Sequence, residues 1–202
     1  MKLILASGSP RRREILSLLN LKFDVETSQI DEDKIQNEMK NEPPAEIARK
    51  LSMAKSHSVA QKIGKGLVLG ADTIVVLENQ IFGKPKNEEA LQYMMSAFSG
   101  KTHQVMTGVT MTDSNRNHSV SLVAVTDVTF RKIEAMELDW YVANANYLDK
   151  AGGYAIQEHA ALFVAGIHGC YYNVVGLPVQ ETLALLSLLG YSWSELQNKR
   201  LK

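Results

Sequence analysis

Three consecutive arginines, Arg11, Arg12 and Arg13, follow "SGSP" where a short apolar run gives way to a helical pattern. Ser9 and Pro10 have the chemistry of an N-cap and a first helical position, and Ile15, Leu16, Leu18 and Leu19 recur at helical spacing, which predicts a helix over 10–19. The arginines then fall in the first turn, where unpaired N–H groups and the positive end of the macrodipole make each cation unfavourable by about 0.3–1 kcal/mol. An anion lodged beside that turn reverses the balance, and the "SGS" junction supplies hydroxyls and close backbone approach for a phosphate. A merely solvated turn, or a nucleic-acid or targeting patch, are the alternatives. With 22 Lys+Arg against 22 Asp+Glu, the chain has no overall field for a long polyanion, which speaks against nucleic acid.

Asp72 sits in "LGADTIVV", on the same strand face as Val68, Gly70, Ile74 and Val76. A carboxylate among such neighbours has to be paired, metal-bound or open to a cleft. "IDED" sets Asp31, Glu32 and Asp33 on what reads as a loop, where three neighbouring acids are ordinarily just solvated. Glu32 and Asp72 together would nonetheless suffice for Mg²⁺, which takes one or two carboxylates beside phosphate oxygens and water. Lys55, near the edge of an apolar stripe, and Lys84 in "FGKP" are either surface lysines or phosphate-binding cations. His103 stands alone and reads as structural, with no zinc-binding set around it. In "LDKAGGYAIQ", Asp149 and Lys150 are adjacent and Gln157 offers an amide that donates and accepts, compatible with the imide edge of uracil or thymine.

The elements that must position these groups are legible in outline. "KLILA" reads as a buried strand, Pro43 to about Ile63 as a helix ending at Gly64, and "LVLGADTIVVL" (67–77) with the "IFGKP" return as a hairpin. Asn87 caps a helix whose stripe is Leu91, Met94, Met95 and Phe98, with Gly100 at its end. Segments 103–113 and 119–130 read as paired strands, "IEAMELDWYVANA" as a short helix, "AGGYAIQ" and "ALFVAGIHGCYYNVVG" as strands, "PVQETLALLSLLG" as a helix, and 191–202 as a loose helical tail. Helices mixed with hairpins predict a mixed α/β fold.

At 202 residues and 45% hydrophobic, the chain can bury a core as a single domain, which a two-lobed domain fits equally well. The single cysteine, Cys170, rules out an internal disulfide and agrees with a reducing compartment. The first apolar run is too short for a signal peptide's roughly 7–15-residue apolar region, and no stretch approaches the ~20 residues of a membrane span, so a cytoplasmic location is expected.

Taken in order, "LILASGSPRRREIL", "IDED", "LSMAKS", "LGADTIVV", "FGKP", "SGKTHQVMTGV", "TDVTF", "LDKAGGYAIQ" and "NVVGLPVQET" give the chain a close resemblance to the Maf family of nucleoside triphosphate pyrophosphatases, from residue 3 to about 190. The resemblance implies an α/β fold of two lobes around a central cleft, similar to the inosine triphosphate pyrophosphatase architecture. It also implies hydrolysis of a nucleoside triphosphate to the monophosphate and pyrophosphate with a divalent cation, Mg²⁺ or Mn²⁺, along with a homodimer and a link to division control. It assigns phosphate binding to Ser9, Arg11, Arg12, Lys55 and Lys84, and acidic catalytic and metal-binding roles to Glu32 and Asp72, with Asp72 as proton acceptor. Arg12, Thr73 and Gln157, with the "DKAGGYAIQ" string that contains Asp149 and Lys150, resemble the branch acting on dTTP and UTP. Asn146 and Tyr147 depart from that branch's usual Glu-Pro. The competing expectations are a non-catalytic nucleotide sensor acting on a division partner, and the same chemistry on 7-methyl-GTP.

Overall fold

The computed structural model describes residues 2–197. Its strands form a seven-stranded sheet in the order β2-β1-β3-β5-β6-β7, with β4 paired to β3. The strands are β1 (Leu3–Leu5), β2 (Phe23–Val25), β3 (Leu67–Leu77), β4 (Gln80–Phe82), β5 (Thr102–Asp113), β6 (His118–Phe130) and β7 (Val164–His168). The helices are α1 (Pro10–Leu18), α2 (Glu32–Glu38), α3 (Pro44–Ile63), α4 (Glu88–Phe98), α5 (Ala135–Asn144), α6 (Tyr171–Val175) and α7 (Val179–Leu188). β1 runs parallel to both β2 and β3, whereas the β3–β4 and β6–β7 pairs are antiparallel, so the mixed α/β expectation holds. The chain divides into two compact units: one takes residues through Asp72, Thr107–Ala124 and the part from Gly176 onward, the other Thr73–Met106 and Val125–Val175.

In the first unit, α1 begins at Pro10 as expected, but its inward face is not the expected one. Arg12, Ile15 and Leu16 are buried, while Leu18 is 66% exposed. Positions 12, 15, 16 and 19 share a face at i, i+3, i+4 and i+7, so the arginine takes the slot assigned to Leu18, which points nearly opposite Leu16. Ser9 stands at the N-cap position without a side-chain capping bond; its backbone N–H instead donates to Ser7 Oγ at 3.2 Å.

α2 replaces the expected loop at "IDED". Asp31 is its N-cap, accepting from the Lys34 N–H at 2.9 Å, and Glu32 and Asp33 occupy a first turn that favours acids. β2 has no counterpart among the expected strands, because three residues with an intermediate–exposed–exposed pattern carry no apolar run to announce them.

α3 buries Ile47, Ala48, Leu51, Ser52, Lys55, Ser56, Val59 and Ala60, an unbroken helical stripe, before Gly64 closes it in a left-handed cap. Lys55 therefore lies within this stripe rather than at its edge. The helix rests almost in backbone contact on β3 and β5: a Cβ on Gly70 would lie 2.3 Å from the Ser52 carbonyl oxygen, and one on Gly108 2.2 Å from that of Ala48. Hydroxyls then fix its seat. Ser52 Oγ meets Thr110 Oγ1 at 2.7 Å, Ser56 Oγ meets Thr112 Oγ1 at 2.7 Å, and Ser56 also donates to the Val68 carbonyl.

The second unit holds an apolar cluster that includes Val75, Leu91, Met95, Phe98, Phe130, Tyr154 and Phe163, with Tyr147 packed against it. Its β3–β4 hairpin turns through Glu78 and Asn79, both at positive φ, as a two-residue connection favours. Asn87 caps α4 by accepting from the Ala90 N–H, as expected. His103 is buried in this cluster beside Phe98, Phe130 and Tyr154, its Nε2 2.6 Å from the Tyr154 hydroxyl.

One expected strand is absent here and another is shortened. Residues 151–153 form a 3₁₀ turn followed by irregular chain, because Gly152 and Gly153 stand at φ 68° and 75°, outside any strand geometry. Of 161–176, only Val164–His168 is a strand, and Tyr171–Val175 winds into α6 despite its aromatic and β-branched residues. Asn173 overrides that propensity: its buried Nδ2 donates to the Val105 carbonyl at 2.9 Å and to Thr126 Oγ1 at 3.0 Å. At the C-terminal end, Trp193–Leu196 forms a 3₁₀ turn with Leu196 buried, and Gln197 bridges to Leu21. The rest of the expected tail, 198–202, lies outside the described residues.

Candidate active site

The first unit gathers four of the singled-out side chains. Lys55 Nζ lies 2.6 Å from Asp72 Oδ1 and 2.8 Å from Glu32 Oε2. The Lys55 and Asp72 side chains are 8% and 9% exposed, and that of Glu32 is 45% exposed. Each reaches the cluster for a local reason. Lys55 belongs to the buried stripe of α3, Asp72 follows the face of β3 carrying Gly70, on which α3 packs, and Glu32 opens α2.

Arg12 is the fourth member. Its Nε donates to the Gly176 carbonyl at 2.8 Å and its Nη1 to Ser7 Oγ at 3.1 Å, so one planar fork engages both acceptors. Burial pulls its pKa below the ordinary arginine value, while attraction from Asp72 and then Glu32 opposes that pull and Arg11 reinforces it. Two cations thus face two carboxylates, the condition under which buried charge is tolerated. The run of three arginines is divided by the fold: Arg12 is buried, Arg11 half-buried and Arg13 exposed. Ser7 and the Gly176 carbonyl complete the seat of Arg12. The "SGS" motif pointed to Ser7, although its oxygen accepts here; the Gly176 carbonyl left no signal, since any residue supplies one.

Ser9 and Arg11 also belong to the first unit, whereas Thr73, Lys84, His103, Asp149, Lys150 and Gln157 belong to the second. Thr73 is partly buried on β3, and Lys84 is exposed in the chain following β4. Lys150 is buried, its ammonium 2.9 Å from Asp149 Oδ1 and 3.3 Å from Glu158 Oε1, so it ties together the two ends of the 149–158 segment. Gln157 is exposed on the turn beside Glu158. The role of Glu158 escapes sequence reasoning, as nothing in sequence pairs an acid with a lysine eight positions earlier outside a helix. His103 fits its structural expectation, its pKa lowered to about 4 by burial.

Among the described residues no group of three or more His, Cys, Asp and Glu side chains has the makings of a metal site. The two carboxylates of Glu32 and Asp72 nonetheless converge on a single cationic point, the Lys55 ammonium, and offer only oxygen. That donor set fits a hard divalent cation completed by phosphate oxygens and water, and does not suit a soft one.

Fold and site together define a mixed α/β protein with a buried, charge-balanced acid–base cluster next to a strand–helix junction. The family model described as Maf-like protein matches residues 2–189, and the chain belongs to that family. A dTTP/UTP pyrophosphatase of Moorella thermoacetica is 45% identical over 189 residues, which cover 94% of this chain and 95% of the relative. The protein of the same description from Carboxydothermus hydrogenoformans is 41% identical, covering 95% of this chain and all of the relative (100%). A crystal structure of a nucleoside-triphosphatase / dITP/XTP pyrophosphatase from Mycobacterium abscessus is similar at a TM-score of 0.42 and 11% identity, over 67% of this chain and 75% of that one. So slight a likeness adds nothing to the account of the site. No helix among the described residues is long and apolar enough to cross a membrane.

Proposed function

We propose that the chain hydrolyses dTTP and UTP to the nucleoside monophosphate and pyrophosphate. The carrying observation is the Lys55 ammonium held between Asp72 and Glu32 beside a buried Arg12, which supplies acid and cation at one place. The relatives' descriptions as dTTP/UTP pyrophosphatases supply the substrate.

In this reading Arg11, Arg12, Ser9, Lys55 and Lys84 bind and neutralise the triphosphate. Asp72 takes a proton from a water, the water oxygen bonds to the α-phosphorus, and the bond from that phosphorus to the bridging oxygen breaks to release pyrophosphate. Glu32 and Asp72 would hold a Mg²⁺ or Mn²⁺ ion, which when bound supplies charge stabilisation for the phosphate oxygens. Thr73, Gln157 and Arg12 select the pyrimidine, and Asp149 and Lys150 order the segment that carries Gln157.

The test is pyrophosphate release from a panel of triphosphates with Mg²⁺. Turnover of dTTP and UTP well above that of purine triphosphates and 7-methyl-GTP is expected. Binding without pyrophosphate release would make the chain a nucleotide sensor, and preferred turnover of 7-methyl-GTP would keep the chemistry while overturning the substrate.

A further inference from the structure

The two carboxylates that would ligate a divalent cation are engaged by one of the chain's own cations. Lys55 Nζ sits within 2.6 and 2.8 Å of an oxygen from each. A metal bound through those same two oxygens would stand where that ammonium stands, and two cations crowded between one pair of carboxylates repel each other.

Arg12, the second buried cation of this cluster, has anchors away from the carboxylates. Its planar guanidinium bonds the Gly176 carbonyl and Ser7 Oγ. Lys55 is a compact ammonium on a four-carbon stem whose bonds to Asp72 and Glu32 can each be exchanged for one to a phosphate oxygen. Glu32 is nearly half exposed, so one side of the arrangement faces water.

We infer that Lys55 is a built-in competitor for the metal: its ammonium keeps a divalent cation off Glu32 and Asp72 until a polyphosphate draws it away. The inference rests on the function proposed above. Nucleotide and metal then bind with positive coupling, and by linkage each raises the affinity for the other by the same factor. The contact also prevents Asp72 from meeting a bare cation in the absence of substrate.

The experiment measures Mn²⁺ binding to the nucleotide-free protein by electron paramagnetic resonance, comparing the wild-type chain with Lys55→Met and Lys55→Gln. Both variants are expected to bind Mn²⁺ more tightly, by on the order of tenfold or more, since a full positive charge next to the ion is removed. Lys55→Gln keeps a donor for Asp72, so it carries the comparison if the methionine variant does not fold. Adding Asp72→Asn to Lys55→Gln should abolish the gain. Unchanged or weaker Mn²⁺ affinity in the folded variant overturns the inference, as does a gain that survives Asp72→Asn. Because the measurement uses no nucleotide, it stands apart from the triphosphate panel: absence of turnover there sinks the proposed function and leaves this result to be judged on its own.

Discussion

Replacing Asp72 by asparagine removes one negative charge with almost no change of volume, which makes it the most informative single substitution. Breaking a buried ion pair by deleting one partner costs about 3–5 kcal/mol when it leaves the other charge stranded. Lys55 would not be stranded. Glu32 Oε2 remains 2.8 Å from its ammonium, and the amide oxygen of the substituted side chain still accepts where Asp72 Oδ1 does at 2.6 Å. The expected loss of stability is therefore that of a weakened charged hydrogen bond, about 1–3 kcal/mol, measured by urea denaturation.

Turnover is affected far more. An amide cannot take the proton from water, and loss of a general base alone costs about 10²–10⁴-fold, before any weakening of the metal is counted. We expect kcat for dTTP, measured as pyrophosphate release, to fall by about a thousandfold or more. Binding of a non-hydrolysable α,β-imido triphosphate in the absence of divalent cations, followed by calorimetry, should be retained or strengthened, since an acid beside the polyanion has gone. A folded variant with kcat within about tenfold of the wild-type value would remove Asp72 from the reaction. Parallel loss of nucleotide binding would assign it to ligand binding instead.

Arg12→Lys keeps the charge but loses the fork that bonds Gly176 and Ser7, so KM for the triphosphate should rise by about tenfold with little loss of fold; an unchanged KM would show that the charge alone suffices. His103 gives a pH signature independent of catalysis. Its folded pKa is lowered from 6.5 to about 4, so the unfolded chain binds more protons between those values, and the contribution is fully present above pH 6.5 and lost as pH falls toward 4. That is about 3 kcal/mol at most between the two limits, checked by urea midpoints from about pH 7 to 4.5, and His103→Gln should flatten the slope.

Much of the scaffold could be read locally. Pro44 and Gly64 bracket α3, Asn87 caps α4, and the β-branched run at 67–77 is β3, because each signal is written within a turn or two of where it acts. The misreadings share one cause. Tyr171–Val175 has strand propensity but is wound into a helix by bonds from Asn173 to residues 47 and 68 positions away in sequence. Leu18 has the right spacing for the core but loses its place to Arg12, which bonds the Ser7 hydroxyl and the carbonyl of Gly176.

The residue types of the candidate site were likewise legible: an acid in an apolar strand, a lysine near an apolar stripe, acids at "IDED" and arginines after "SGSP". Their order along the chain was enough to suggest the family. The sequence could not say that Lys55 bridges Asp72 and Glu32, or which of three neighbouring arginines turns inward. Those outcomes depend on how α3 seats on Gly70 and Gly108 and where α2 begins, so they are set by contacts between distant segments. Side-chain chemistry and helix ends are properties of neighbouring residues, whereas the pairing of buried charges is a property of packing and exists only once the elements have met.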